Sequence, residues 1–224
     1  MFVALTAPLG SSDCEAIAGG WLLQPINAWS SLAYTVVGLA LIASSGQSAP
    51  PERTLRRAFG LLTAATGVGS FLYHGPQSTG AGFAHDVTFL ATLWFLVVMD
   101  PASSLGIRRR SAWLGLGGII AAISVVLIVA PTSSNVLTGI SIIALIVSDW
   151  LMHRIGGING RWYATALSLF AASLLFNALG RSAASTCEPD AMLQFHALWH
   201  ILSATALGAY FVAMTDPRSQ EPNL

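Results

Sequence analysis

The sequence predicts an all-α fold, a single bundle of seven transmembrane helices. Three observations lead to this prediction. Apolar residues make up 54% of the 224 residues and charged residues only 9%, whereas a soluble domain carries about a quarter charged residues. Mean hydropathy is +0.66. The apolar residues also form continuous runs long enough for helices to cross a bilayer, without the alternation that a membrane β-barrel requires.

Seven apolar runs define the predicted helices, and short loops join them. In chain order the runs are Ile26–Ala43, Leu55–Tyr73, Phe83–Met99, Ala112–Ala130, Val136–Trp150, Trp162–Leu179 and Met192–Met214. Helices are expected because lipid offers backbone polar groups no other partner. Residues 1–25 are interpreted as an outward-facing N-terminal segment rather than a cleaved signal peptide. Residues 26–214 form the membrane domain, and residues 215–224 form a flexible cytoplasmic tail.

The arginines predict the orientation of the bundle. All ten basic residues are arginines, and nine of them fall in the tail or in the loops after the first, third and fifth helices. Only Arg181 falls on the other side. The positive-inside rule therefore places the N-terminus outside and the C-terminus inside, and the composition favours a bacterial inner membrane. Because the net charge is zero, there is no basic excess for binding nucleic acid.

The two cysteines are both predicted to lie on the outer side. Cys14 precedes the first helix, and Cys187 lies in the loop before the seventh. An outward compartment permits disulfides, so a bridge between them is one interpretation. Two separate free thiols are the other.

Ionisable side chains from three helices are predicted to lie at one depth below the outer face. They are His74, His85, Asp86, His196 and His200. An ionisable group inside a membrane costs a few kcal/mol and needs a partner or a purpose. His196 and His200 are spaced i, i+4, so they share one helix face, as two zinc ligands on one helix do. With His74 as a third ligand, a fourth position stays open for water, which is typical of catalytic zinc.

Two further side chains suit hydrolysis at such a site. Ser70 lies one turn before His74 and can donate to an oxygen that becomes negative during a reaction. Asp86 can act as general base and then as general acid, or it can hold a ligand histidine through a hydrogen bond.

Each of these features also has a structural explanation. The hydroxyl of Ser70 can bond to the carbonyl of Thr66, and Asp86 can favour a helix start through the helix dipole. His85 can be exposed at the interface, and His153 is expected to be an interfacial residue at the inner end. Bis-histidine haem is a rival use of membrane histidines. It fits less well, since haem needs its two ligands on opposite sides of the ring.

The combined pattern resembles the alkaline ceramidases, part of a wider group of seven-helix membrane hydrolases that includes the adiponectin and progestin-type receptors. The resemblance rests on Ser70-x-x-x-His74 within GSFLYH, on Asp86, and on His196-x-x-x-His200 within HALWH. Asp13-Cys14-Glu15 is similar to the family's N-terminal acidic segment, and Asn27 with Ser30 to its first helix. The resemblance to the family extends from about residue 13 to residue 213.

The resemblance implies a zinc ion held by His74, His196 and His200, with Ser70 and Asp86 beside it. It further implies hydrolysis of the ceramide amide to sphingosine and fatty acid, and a Cys14–Cys187 bridge. The family's calcium site uses several N-terminal carboxylates. Asp13 and Glu15 are retained here, but Ala16, Ile17 and Gln24 depart from the pattern, which argues against calcium.

The leading prediction is therefore a zinc-dependent membrane hydrolase that cleaves the amide of ceramide or a related N-acyl lipid drawn from the bilayer. A receptor-like or regulatory seven-helix protein with a structural zinc is the alternative. A transporter is a third possibility, but charged residues are scarce in the fourth, fifth and sixth helices.

Overall fold

The computed structural model describes residues 8–154 and 160–215, without the side chains of Pro51, Ser103, His153, Met214 and Thr215. The described residues form seven α-helices. They are α1 (Pro25–Ser44), α2 (Pro50–His74), α3 (Ala81–Ser104), α4 (Arg109–Val129), α5 (Ser134–Arg154), α6 (Gly160–Leu179) and α7 (Phe195–Thr215). The predicted tail lies almost entirely outside the described residues, as does the side chain of His153.

The number and order of the helices agree with the sequence prediction, whereas several ends differ. Helices α2, α3 and α5 extend beyond the apolar runs, because polar residues can continue a helix past the hydrophobic core of a bilayer. The predicted start of the last helix, at Met192, is wrong. Helix α7 begins at Phe195, since the Gln194 side chain donates to three carbonyls of the preceding turn, those of Glu188, Pro189 and Ala191.

Six of the seven helices are long and apolar enough to cross a membrane, and α2 is the helix that falls short among the described residues. Its polar side chains are buried against its neighbours, as in Thr63, Thr66 and Ser70. The backbones of α1 and α2 also approach closely: a Cβ added at Gly60 would lie 2.6 Å from the Gly38 carbonyl oxygen. Small and polar residues at such contacts are typical of helices packed inside membrane bundles.

The helices pack in the order α6, α7, α1, α2, α3, with α4 and α5 both against α3. The centre of the bundle is aromatic, because Phe59 stacks on Phe211 at 4.8 Å between ring centroids and contacts Phe95 at 5.4 Å.

A buried polar cluster joins four helices at the end where the arginine-bearing loops lie. The Tyr210 hydroxyl on α7 lies between Asp100 on α3, at 3.2 Å, and Asp149 on α5. The Tyr163 hydroxyl on α6 adds a longer bond to Asp149, at 3.4 Å. We call this group the aspartate cluster. Lipid makes unsatisfied polar groups costly, so mutual hydrogen bonding is what lets these side chains lie here.

The opposite end of the bundle, which we call the histidine end, carries the start of α7 and the end of α2. There the N-terminal strap, residues 9–16, folds back over the helices. The Cys14–Cys187 disulfide forms, with 5.4 Å between the Cα atoms. The Cys14 amide donates to the Gly180 carbonyl and the Ala16 amide to the Pro189 carbonyl. The strap is therefore fixed to the loop between α6 and α7.

Candidate metal centre

Three histidines that are far apart in the sequence meet at the histidine end. His74, His196 and His200 each offer a ring nitrogen, and these nitrogens lie within 4.8 Å of one another. The ring centroids are 4.7–5.2 Å apart. All three side chains are buried, with exposed fractions of 1%, 7% and 2%. The structure thus brings together the three residues that the sequence predicted as metal ligands.

Close backbone packing fixes the positions of these rings. The backbone N–H of Gln24 donates to the backbone carbonyl of His74 at 2.9 Å. This bond ties the last residue of α2 to the chain before α1. At the start of α7, a Cβ added at Gly180 would lie 2.5 Å from the backbone nitrogen of His196. Glycine at position 180, directly after α6, allows the chain to contact the first turn of α7. This contact fixes the position of His196 along the axis of the bundle.

The proton positions of two rings follow from their partners. The Ser30 hydroxyl donates to the Asn27 carbonyl at 3.0 Å, so its oxygen accepts from Nδ1 of His200, also at 3.0 Å. The proton on Nδ1 leaves Nε2 of His200 with a lone pair. In His74, Nδ1 lies 2.8 Å from the Gln24 side-chain oxygen, while Nε2 is buried with no hydrogen-bond partner in the described part of the chain. An orphaned buried nitrogen of this kind requires an explanation.

A divalent metal ion fits this arrangement. Buried imidazole rings whose nitrogen lone pairs point towards one another repel each other. A cation bound between the nitrogens removes that repulsion. Neutral imidazole nitrogen is a ligand for zinc, copper, iron and nickel. Among the described residues, the group that can hold a metal consists of these histidines and contains no carboxylate. Three protein ligands correspond to an open site rather than to a closed structural one.

The third ring, His196, lies beside an ion pair that the sequence analysis did not predict. Its Nδ1 is 3.5 Å from an Asp13 carboxylate oxygen, within ion-pair distance although it makes no hydrogen bond. The same oxygen accepts from Arg181 at 2.8 Å. Burial raises the pKa of Asp13 to about 6, although the Arg181 charge acts in the lowering direction. Arg181 was visible in the sequence as the lone outer arginine, but nothing there indicated its partner.

The carboxylates considered for calcium are occupied by hydrogen-bond donors. Asp13 faces Arg181. Glu15 accepts from the backbone amides of Ile26 and Asn27, both at 2.7 Å, and so satisfies free N–H groups at the start of α1. Burial raises the pKa of Glu15, and these two amides act against that rise. Both carboxylates therefore serve to fasten the strap.

Ser70 and Asp86 have different hydrogen-bond partners. The Ser70 oxygen lies 3.5 Å from Nε2 of His200, which is long for a hydrogen bond but places the hydroxyl next to the metal position. Asp86 accepts from Nδ1 of His85 at 2.8 Å. In the described residues its partner is thus His85, and the interpretation in which Asp86 holds a ligand histidine is wrong. Asp86 is bonded to its sequence neighbour and still lines the same cavity as His74 and His196.

A cavity of about 660 Å³ adjoins two of the three histidines and Asp86. Its wall includes His74, His196, His85, Asp86, Arg181 and Trp199, together with residues of α3, α4, α5 and α6. A smaller cavity of about 50 Å³ touches Ser70, His200 and His85. His85 therefore borders both spaces, and its ring stacks on Tyr73 at 4.5 Å between centroids. The sequence allowed His85 to be an exposed interfacial residue, whereas it is half-buried at the cavity wall.

No protein-family model matches this chain, and no curated protein matches it.

Proposed function

We propose that this protein is a zinc-dependent membrane hydrolase that cleaves the amide bond of an N-acyl lipid, ceramide being the substrate that the resemblance to the alkaline ceramidases suggests. One observation carries the proposal. Three buried histidines present ring nitrogens to a common point, which adjoins a cavity with a carboxylate, Asp86, on its wall. When bound there, zinc would supply an activated water for attack on an acyl carbon.

The surroundings of the cavity support a lipid substrate. Its wall combines apolar side chains such as Leu127, Ile128 and Phe89 with polar ones such as Asn135 and Asn177. Asn135 belongs to α5, which packs on α3, while Asn177 belongs to α6, which packs on α7. Among the described residues, α5 and α6 are thus not one of the closely packed helix pairs. We expect an acyl chain to enter there from the bilayer, with the polar head group near the two asparagines.

The chain's own residues have distinct roles in this reaction. The Asp86 carboxylate takes a proton from the attacking water and passes it to the leaving nitrogen as the carbon–nitrogen bond breaks. His85 donates to this carboxylate and orients it. The Ser70 hydroxyl donates to the carbonyl oxygen as negative charge develops there. The products are a fatty acid and a free amine.

The proposed location follows from the arginines. The loops at the aspartate-cluster end carry nearly all of them, and the histidine end carries Arg181. By the positive-inside rule the metal centre faces the outer side of the membrane. The disulfide at the same end suits that side.

Metal content of the purified protein in detergent tests the first step. We expect about one zinc per chain by elemental mass spectrometry and loss of that zinc in His200→Ala. His85→Ala is the matched control, because His85 borders the same cavity but lies outside the three-histidine group. Absence of zinc from the folded wild-type protein, or equal zinc in His200→Ala and wild type, would refute the proposal.

Turnover of ceramide and other N-acyl lipids tests the second step. Asp86→Asn is expected to reduce kcat by about 10²–10⁴-fold and Ser70→Ala by about 10²–10³-fold, with zinc content retained in both. Full zinc occupancy with no hydrolysis of any N-acyl lipid would favour the receptor-like alternative.

A further inference from the structure

Gln24 occupies an unusual position between the strap and the metal centre. Its side chain is fully buried. The amide nitrogen donates to the carbonyls of Gly10 and Glu15, at 3.0 and 2.9 Å. The amide oxygen lies 2.8 Å from Nδ1 of His74. Every polar atom of this amide is thus used, and each contact joins parts of the chain distant in sequence.

These contacts fix the orientation of the amide. If the Gln24 oxygen and nitrogen were exchanged, the oxygen would face two carbonyl oxygens, and both carbonyls would lose the bond from Gln24. The oxygen therefore points at His74, and because an amide oxygen only accepts, Nδ1 of His74 carries the proton. The lone pair is then on Nε2, the nitrogen that has no partner among the described residues.

We propose that Gln24 is a positioning residue for the metal centre, which sets the tautomer and the ring orientation of His74 and couples them to the N-terminal strap. The inference rests on the proposed three-histidine site. Partners of this kind, bonded to the outer nitrogen of a ligand histidine, change metal affinity by about 10- to 100-fold when they are removed. Gln24 differs from the usual carboxylate partner because its amide also holds two strap carbonyls.

The backbone around Gly10 shows how closely the strap fits against this pair. Gly10 has a φ of +70°, a conformation that favours glycine. A Cβ at this position would overlap the Gln24 side-chain oxygen and lie 3.3 Å from Nδ1 of His74. The strap thus touches the hydrogen bond between Gln24 and His74 directly, so a displaced strap would disturb that bond.

The chain contains a matched control for Gln24. Gln194 is also a buried glutamine at the histidine end, with an exposed fraction of 2%. Its amide donates to backbone carbonyls of the turn before α7. None of these acceptors belongs to a histidine. Replacing either glutamine by leucine removes comparable amide–carbonyl bonds, but only the change at position 24 removes the acceptor for a metal ligand.

The experiment measures zinc affinity by competition with a chelator in the full-length protein in detergent. We expect Gln24→Leu to weaken zinc binding about 10- to 100-fold, with Gln194→Leu within about threefold of wild type. Gln24→Glu keeps an acceptor for His74 and loses the donors to the strap. It is therefore expected to bind zinc within about threefold of wild type while its melting temperature falls.

The outcomes separate this inference from the proposed function. Equal zinc affinity in Gln24→Leu and Gln194→Leu would overturn the positioning role while leaving the three-histidine site intact. A wild-type protein that binds no zinc would overturn the proposed function itself. If Gln24→Leu does not fold, Gln24→Met decides, because it removes the same acceptor with a side chain of more similar shape: affinity within about threefold of wild type in that folded variant would refute the role, and a loss of about tenfold would support it.

Discussion

Removal of a single oxygen, in Tyr210→Phe, tests the aspartate cluster. The Tyr210 hydroxyl lies between Asp100 and Asp149, whose exposed fractions are only 5% and 6%. The substitution leaves the ring in place and removes the donor between the two carboxyl groups. We expect it to lower the stability of the bundle without affecting the metal centre, because the cluster lies at the other end of the helices.

The magnitude follows from the contacts. One hydroxyl donates one proton, and a hydrogen bond to a charged group contributes about 1.5–3 kcal/mol. Burial of the two carboxyl groups without that donor adds to the cost, so we expect a loss of about 2–4 kcal/mol. The Tyr163 hydroxyl contacts Asp149 at 3.4 Å and compensates little at that distance.

Tyr34→Phe is the matched control. Tyr34 is also a buried tyrosine on a membrane helix, and its hydroxyl bonds the neutral hydroxyl of Ser203 at 2.5 Å. Loss of a neutral hydrogen bond costs about 0.5–1.5 kcal/mol. Thermal unfolding in detergent, followed by circular dichroism, compares the two variants, at roughly 2–4 °C per kcal/mol for a chain of this size. Equal falls in melting temperature for the two variants would show that the buried carboxyl groups do not need the Tyr210 hydroxyl as a donor, and the reasoning would be refuted.

Two further predictions concern the histidine end. Replacing Cys14 and Cys187 by serine opens a bridge between residues 173 positions apart and is expected to cost about 2–5 kcal/mol; an unchanged melting temperature would contradict a stabilising role. Gly180→Ala would place a Cβ 2.5 Å from the His196 backbone nitrogen and is expected to lower both melting temperature and zinc content. Gly115→Ala on α4, where nothing lies within 4 Å of the new carbon, is expected to stabilise the protein by about 0.5–1 kcal/mol. Similar changes in melting temperature for Gly180→Ala and Gly115→Ala would contradict the close contact between Gly180 and His196.

Composition and hydropathy by themselves determined the class of fold. Continuous apolar runs specify helices because lipid leaves the backbone no other partner, so the number and order of the helices were predictable. Helix ends were less so. Met192 looked like part of the last apolar run, but hydrogen bonds from the Gln194 side chain end the preceding turn, and such local bonds leave no trace in hydropathy.

The residues of the three-histidine group were also predictable, since α2 and α7 place His74, His196 and His200 at one depth and i, i+4 spacing is a local property of a helix. Their supporting partners were not. Gln24 meets His74, Asp13 meets Arg181, and Asp86 turns to His85. Except for the last, these pairs join positions 50 or more residues apart, and only the packing of the strap and helices decides which side chains meet. The sequence thus determined which ionisable side chains are available at the histidine end, and the tertiary structure decided how they are paired.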